Sequence, residues 1–157
     1  MEEPQRKHIE PQTVAGLEHT GAYGEIGSVY HKLHAWARQA GVRATGPAFT
    51  VFLQPPNELN WQAGSFEVCL PVPAGTATSG DVRIKHLPAA DVLSVVVAGP
   101  YSEVPAHYAE FLAWIDIEGA TVSGPPREVY LVHPGPGGTA DPQKLRTEIQ
   151  FPVAPEE

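Results

Sequence analysis

Cysteine is almost absent from this chain. Cys69 stands alone, so no internal disulfide can form and no multi-thiolate metal site can be assembled. It sits in the apolar run Phe66-Glu67-Val68-Cys69-Leu70, where a cysteine serves as a small buried hydrophobe. Long apolar stretches are missing too, and none approaches the roughly 20 residues a membrane-spanning helix needs. The N-terminus, Met1-Glu2-Glu3-Pro4, has neither the basic nor the apolar part of a secretory signal, and the expected location is cytoplasmic. Positive charge is scarce: 10 Lys and Arg face 18 Asp and Glu, a formal net charge of −8. Such a field repels phosphate backbones, which disfavours direct binding of nucleic acid.

Catalytic signatures are equally sparse. Gly135-Pro136-Gly137-Gly138 lacks the Gly-Lys-Ser/Thr ending of a phosphate loop and opens no helix. No Gly-x-Ser-x-Gly elbow and no Cys/His nucleophile arrangement is visible. His31 and His34 have a spacing that can ligate a metal, but no third ligand accompanies them and Lys32 lies between them. They read as a solvated helix face, so no metal and no cofactor is expected.

What the chain does contain is itself, twice. The stretch from His19 to Leu53 aligns without a gap on Val97 to Leu131. Gly21-Ala22-Tyr23-Gly24-Glu25 falls on Gly99-Pro100-Tyr101-Ser102-Glu103, and Tyr30 on Tyr108. Ala35-Trp36 meets Ala113-Trp114, Gly41 meets Gly119, and Gly46-Pro47 meets Gly124-Pro125. Val51-Phe52-Leu53 meets Val129-Tyr130-Leu131. After a small length difference, Glu67-Val68-Cys69-Leu70-Pro71-Val72 parallels Glu148-Ile149-Gln150-Phe151-Pro152-Val153. An ungapped match of that length with Gly, Tyr, Trp and Pro in register marks a duplication. The 157 residues then suit one domain, 1–157, with repeats at about 8–75 and 82–154.

Each repeat reads as strand, helix, strand, strand. The extended segments are 13–18 and 92–98, the second nearly continuous in β-branched residues. Helices follow, with a glutamate in the first turn where the helix dipole favours it. Their apolar spacing is Ile26, Val29, Tyr30, Leu33, Ala37 in one and Val104, His107, Tyr108, Phe111, Ile115 in the other. Gly41 and Gly119 are expected as C-terminal caps. Strands are predicted at 49–54 and 66–70, and again at 128–133 and 147–153. The fold class predicted is α+β: duplicated βαββ units forming one curved antiparallel sheet, with two main helices on one face and a pseudo-two-fold axis. The opposite face would be hollow, and a seam between related halves is a common place for a ligand. Segments 54–64, 73–80 and 134–142 are Pro- and Gly-rich loops. The tails, 1–7 and 154–157, are expected to fray.

The order Gly99-Pro100-Tyr101, Ala113-Trp114, Gly124-Pro125, Glu128-Val129-Tyr130-Leu131, Thr147-Glu148-Ile149 and Pro152-Val153 resembles the GyrI-like family. That family is similar to the effector-binding domains of bacterial AraC-type and MerR-type transcription regulators. The resemblance runs from about Ile9 to Val153. It implies the duplicated fold and a pocket between the halves that takes hydrophobic, often cationic molecules, with the glutamate of the Glu-x-Tyr strand touching the ligand. It also implies that some relatives hydrolyse cyclopropane-containing alkylating compounds and that others inhibit gyrase or neutralise toxins. Unlike the regulators, the sequence carries no helix-turn-helix segment, so a complete transcription factor is not expected.

Glu128 is therefore the leading site residue, as ligand contact and, if the protein is an enzyme, as general base. Strand alternation puts Glu128 and Tyr130 on one face and Val129 and Leu131 on the other. With the apolar pair facing the helices, the carboxylate and phenol would enter the hollow side. The competing reading is a solvated strand glutamate paired with Arg127 or a lysine. Tyr23, Phe52, Trp61, Tyr101 and Tyr130 are the candidate aromatic walls for a flat or cationic ligand. Tyr30, Trp36, Tyr108 and Trp114 repeat on the helices and read as core. Glu67 and Glu148 repeat as well and read as structural. The function expected is capture of a hydrophobic, cationic small molecule for sequestration or effector sensing, with a protein partner left open and no membrane involved. A ring-opening hydrolase with Glu128 as base is the alternative, and a gyrase-inhibitor-like interaction protein the third reading.

Overall fold

A computed structural model describes residues 3–53, 63–132 and 141–155. In chain order its elements are β1 (Gln5–Ile9), β2 (Gln12–Ala22), α1 (Ile26–Ala40), β3 (Phe49–Phe52), β4 (Ala63–Pro71) and β5 (Arg83–Leu87), then β6 (Ala90–Ala98), α2 (Val104–Ile117), β7 (Arg127–Val132) and β8 (Arg146–Pro152). A single 3₁₀ turn leads into each long helix, Tyr23–Glu25 before α1 and Tyr101–Glu103 before α2. The chain is α+β, and the described strand pairs are antiparallel, as the duplication predicts.

Two compact units divide the chain, Glu10–Ala89 on one side and Met1–Ile9 with Ala90–Glu157 on the other. In the Glu10–Ala89 unit the strand order is β3-β4-β2-β5, with α1 on one face. The face is set by alternation: Ala15 and Leu17 of β2 and Phe66, Val68 and Leu70 of β4 point together at Val29, Leu33 and Ala37 of α1. The other unit repeats this with order β1-β6-β8-β7. There Leu93, Val95 and Val97 of β6 and Ile149 and Phe151 of β8 meet Val104, Tyr108, Phe111 and Ile115 of α2. Leu33 and Phe111 are fully enclosed, and truncating either to alanine would cost roughly 2–5 kcal/mol in lost transfer energy and cavity.

Both helices end as their glycines predict. Gly41 and Gly119 take φ of 68° and 73°, a left-handed conformation that a side chain would strain. The next residue's N–H then closes back on the helix, Val42 to the Ala37 carbonyl at 2.8 Å and Ala120 to that of Ile115 at 3.3 Å. The same local chemistry is used twice.

The expectation of a frayed tail over 1–7 is corrected. Residues from Gln5 onward form β1, bonded along its length to β6 from Gln5↔Ser94 to Ile9↔Ala90. Arg6 donates to the Ala154 carbonyl at 3.1 Å and Lys7 pairs with Glu148 at 3.1 Å. Only Ile9 in this strand is apolar, so composition does not reveal it; it is an edge strand held by backbone pairing and by side-chain pairs that include Lys7 with Glu148 and His8 with Asp91. β5 has two apolar residues, Ile84 and Leu87, without the alternation that marks a strand in sequence. These two strands are exchanged between the repeats: β1 opens the first repeat and joins the unit built on the second, while β5 opens the second and pairs with β2 of the first.

Candidate functional site

The register of β7 on β8 decides which way the leading residue points. Glu128 lies opposite Ile149 and Tyr130 opposite Thr147, while Val129 lies opposite Glu148. Directly opposed side chains share a face, and Ile149 belongs to the cluster beneath α2. Glu128 and Tyr130 therefore lie on the helix-bearing face, and the expectation that they face away from the helices is overturned. The physical reason is that both faces of β7 are covered at its start: Val129 is buried on the face away from α2, beside Glu148. Alternation separates two faces, but apolarity did not say which of them carried the helix.

Its surroundings make Glu128 unusual. The Tyr108 hydroxyl, on α2, donates to its Oε2 at 2.6 Å. The residue keeps some exposure, yet protein surrounds the carboxylate closely enough that desolvation pushes its pKa up to about 7, against the lowering effect of the Tyr108 bond. A carboxyl group poised near neutrality can bind a cation by giving up a proton or can accept one from water. The solvated reading, with Arg127 or a lysine as partner, does not describe this environment. Tyr108 was assigned to the core because Tyr30 repeats it; it is core, packed edge-on to Phe151 at 5.9 Å, and the donor to Glu128 as well. Only the exchange of Thr50 for Glu128 at matching positions hinted that the second tyrosine had acquired a polar partner.

Aromatic rings gather beside it. Tyr101, in the turn before α2, meets Tyr130 edge to face at 5.6 Å, with Tyr130 buried and Tyr101 39% exposed. The first repeat builds the same corner from Tyr23 and Phe52 at 5.2 Å, with Phe66 as a third ring 6.1 Å from Tyr23. There Thr50, completely buried, occupies the position of Glu128. Trp61, the sixth candidate, lies outside the described residues. The first corner carries its own charge: His19 Nε2 and Glu25 Oε2 are 2.6 Å apart, and Glu25 Oε1 accepts from the Ala22 N–H. The His19 hydrogen bond, then that N–H, hold the Glu25 carboxyl below the usual range.

The other repeated carboxylates tie strands. Glu148 accepts from Lys7 of β1 and from Gln150 at 2.9 Å, and Glu67 pairs with Lys85 of β5 at 2.7 Å. Both glutamates are buried on the face away from the helices. Gly16 makes room for one of them, since a Cβ there would clash with Glu67 Oε2. Among the described residues no group of three or more His, Cys, Asp or Glu is placed to hold a metal ion, and no helix is long and apolar enough to cross a membrane.

Comparison with solved structures bears on the fold. The C-terminal domain of EcmrR is similar with a TM-score of 0.81 at 24% identity, covering 98% of each chain. EcmrR in its complex with DNA gives 0.87 at 22% identity over 98% of this chain, which spans 58% of that one. SAV2435 bound to tetraphenylphosphonium gives 0.64 at 16% identity, covering 98% of this chain and 94% of that one. A hydrolase from Listeria innocua gives 0.68 at 15% identity, covering 96% and 91%. No curated protein matches. The description of the GyrI-like small molecule binding domain matches residues 2–154, across both compact units, and the chain belongs to that family.

Proposed function

We propose that this chain binds a hydrophobic organic cation, with Glu128 as its charge-recognising group, for sequestration or effector sensing. The observation that carries the reading is a carboxylate drawn out of water, with a pKa of about 7, beside the Tyr101–Tyr130 pair. Pairing with a cation relieves the cost of ionising that group, and the ring faces add cation–π attraction. The fold likeness to SAV2435, whose structure holds tetraphenylphosphonium, supports the same class of ligand. In this reading Tyr101 and Tyr130 are the aromatic walls beside the carboxylate, within the unit that carries Glu128. Titrating the protein with tetraphenylphosphonium by calorimetry tests it. Saturable binding should weaken at least tenfold in Glu128→Gln. Unchanged affinity in that variant, or no binding in the wild type, defeats the reading.

A hydrolytic reading has one observation of its own. A carboxyl group of pKa about 7 is matched to general-base work near neutral pH, where such catalysis contributes about 10²–10⁴-fold. Glu128 would take a proton from water as the water's oxygen bonds to one ring carbon and the adjoining ring bond breaks; the released electron pair passes to the other end of that bond, or to a carbonyl conjugated with it, and is protonated there. Mass spectrometry of a cyclopropane-bearing alkylator incubated with the protein should then show the hydrated product. Recovery of intact compound removes this alternative.

A further inference from the structure

The two aromatic corners are not equal. In the first repeat three rings close the corner, Tyr23, Phe52 and Phe66, and Phe66 is fully buried. In the second the place of Phe66 is taken by Thr147, smaller by most of an aromatic ring. Thr147 is also fully buried, and among the described residues its hydroxyl has no hydrogen-bond partner. Leaving a buried hydroxyl unpaired is costly, and a valine of nearly the same shape would avoid the cost. On its face of the sheet its cross-strand neighbours are Val97 and Tyr130, and Glu128 lies one pair along from Tyr130. An unpaired donor thus sits under the ring that flanks the candidate carboxylate.

From this placement we infer that Thr147 is a specificity-determining contact: its hydroxyl donates to a heteroatom on the ligand's ring system, so the preferred ligands are aromatic cations bearing a hydrogen-bond acceptor. The inference rests on the reading of Glu128 as the cation's partner. The ligand reaches Thr147 by displacing the Tyr130 side chain, its buried neighbour across the strands. The cation is held by Glu128 and the rings by Tyr101, while Thr147 separates ligands of equal charge and size by their polarity. The first repeat has no such donor at this place, because Phe66 fills it.

The test uses N-methylquinolinium and its set of ring-methoxy isomers, titrated by calorimetry into the full chain, Thr147→Val and Glu128→Gln. The wild type should prefer at least one methoxy isomer over the parent by roughly 2- to 10-fold, the worth of one hydrogen bond. Thr147→Val should erase that preference and leave the affinity for the parent unchanged. The same variant should melt at a higher temperature than the wild type, since it removes an unpaired buried hydroxyl. No preferred isomer, a preference that survives Thr147→Val, or a lowered melting temperature overturns the assignment of Thr147 while leaving Glu128 in place. Failure of every cation to bind the wild type, or equal binding by Glu128→Gln, overturns both.

Discussion

Thr50 and Glu128 occupy the same position in two copies of one unit, on equivalent strands and on the face beneath equivalent helices. In the first copy a neutral hydroxyl side chain is completely buried; in the second a carboxylate of pKa about 7 accepts from the Tyr108 hydroxyl. The scaffold therefore tolerates both, and the difference measures what the second copy gives up for its charge. Duplication preserves the packing rules, and a departure from them at one site is where a function is most economically placed.

Making the halves alike in the charged sense should do the most damage. Thr50→Glu introduces a carboxylate at an enclosed position, and an uncompensated buried charge destabilises by about 3–5 kcal/mol. Urea unfolding at pH 8 should show the loss, and much of it should return at pH 5, where the carboxyl group can protonate.

Making them alike in the neutral sense has the opposite sign. The folded pKa of Glu128 is raised from 4.5 to about 7, so its contribution to stability is intact below about pH 4.5 and declines as the pH rises through 7. A shift of that size corresponds to about 3 kcal/mol at pH 8. Glu128→Thr should flatten this slope and leave the variant more stable than the wild type at pH 8, with cation binding lost. A slope that persists in the variant would assign the titration to another group.

The edge strands sharpen the comparison at smaller scale. Lys7 and Lys85 each reach a buried glutamate, but Glu148 also accepts from Gln150, whereas Glu67 has Lys85 as its close cationic partner. Lys85→Ala should cost roughly 1–2 kcal/mol and Lys7→Ala less, by thermal or chemical unfolding. Equal losses would mean that Gln150 does nothing for Glu148.

Much of this architecture was legible in one dimension. The repeat of Gly, Tyr, Trp and Pro in register announced two copies, and the helix periodicity named Val29, Leu33, Ala37, Phe111 and Ile115, all buried. Gly41 and Gly119 marked the helix ends, because only a residue without a side chain enters the left-handed conformation cheaply. β1 and β5 were illegible, since an edge strand made mostly of Arg, Lys and His owes its place to backbone pairing, which composition does not encode.

The residues at Glu128 were likewise nameable from the sequence, but not their surroundings. Local periodicity determined that the chain would make two βαββ units and that Glu128 and Tyr130 would share a face. Which face that was, that Tyr108 would hold the carboxylate at 2.6 Å, and that the Thr147 hydroxyl would be enclosed with no partner among the described residues were decided by the register of β7 on β8 and by the seat of α2 above them. Periodicity is a property of neighbours along the chain, whereas desolvation and hydrogen bonding depend on which distant segments come to lie against one another.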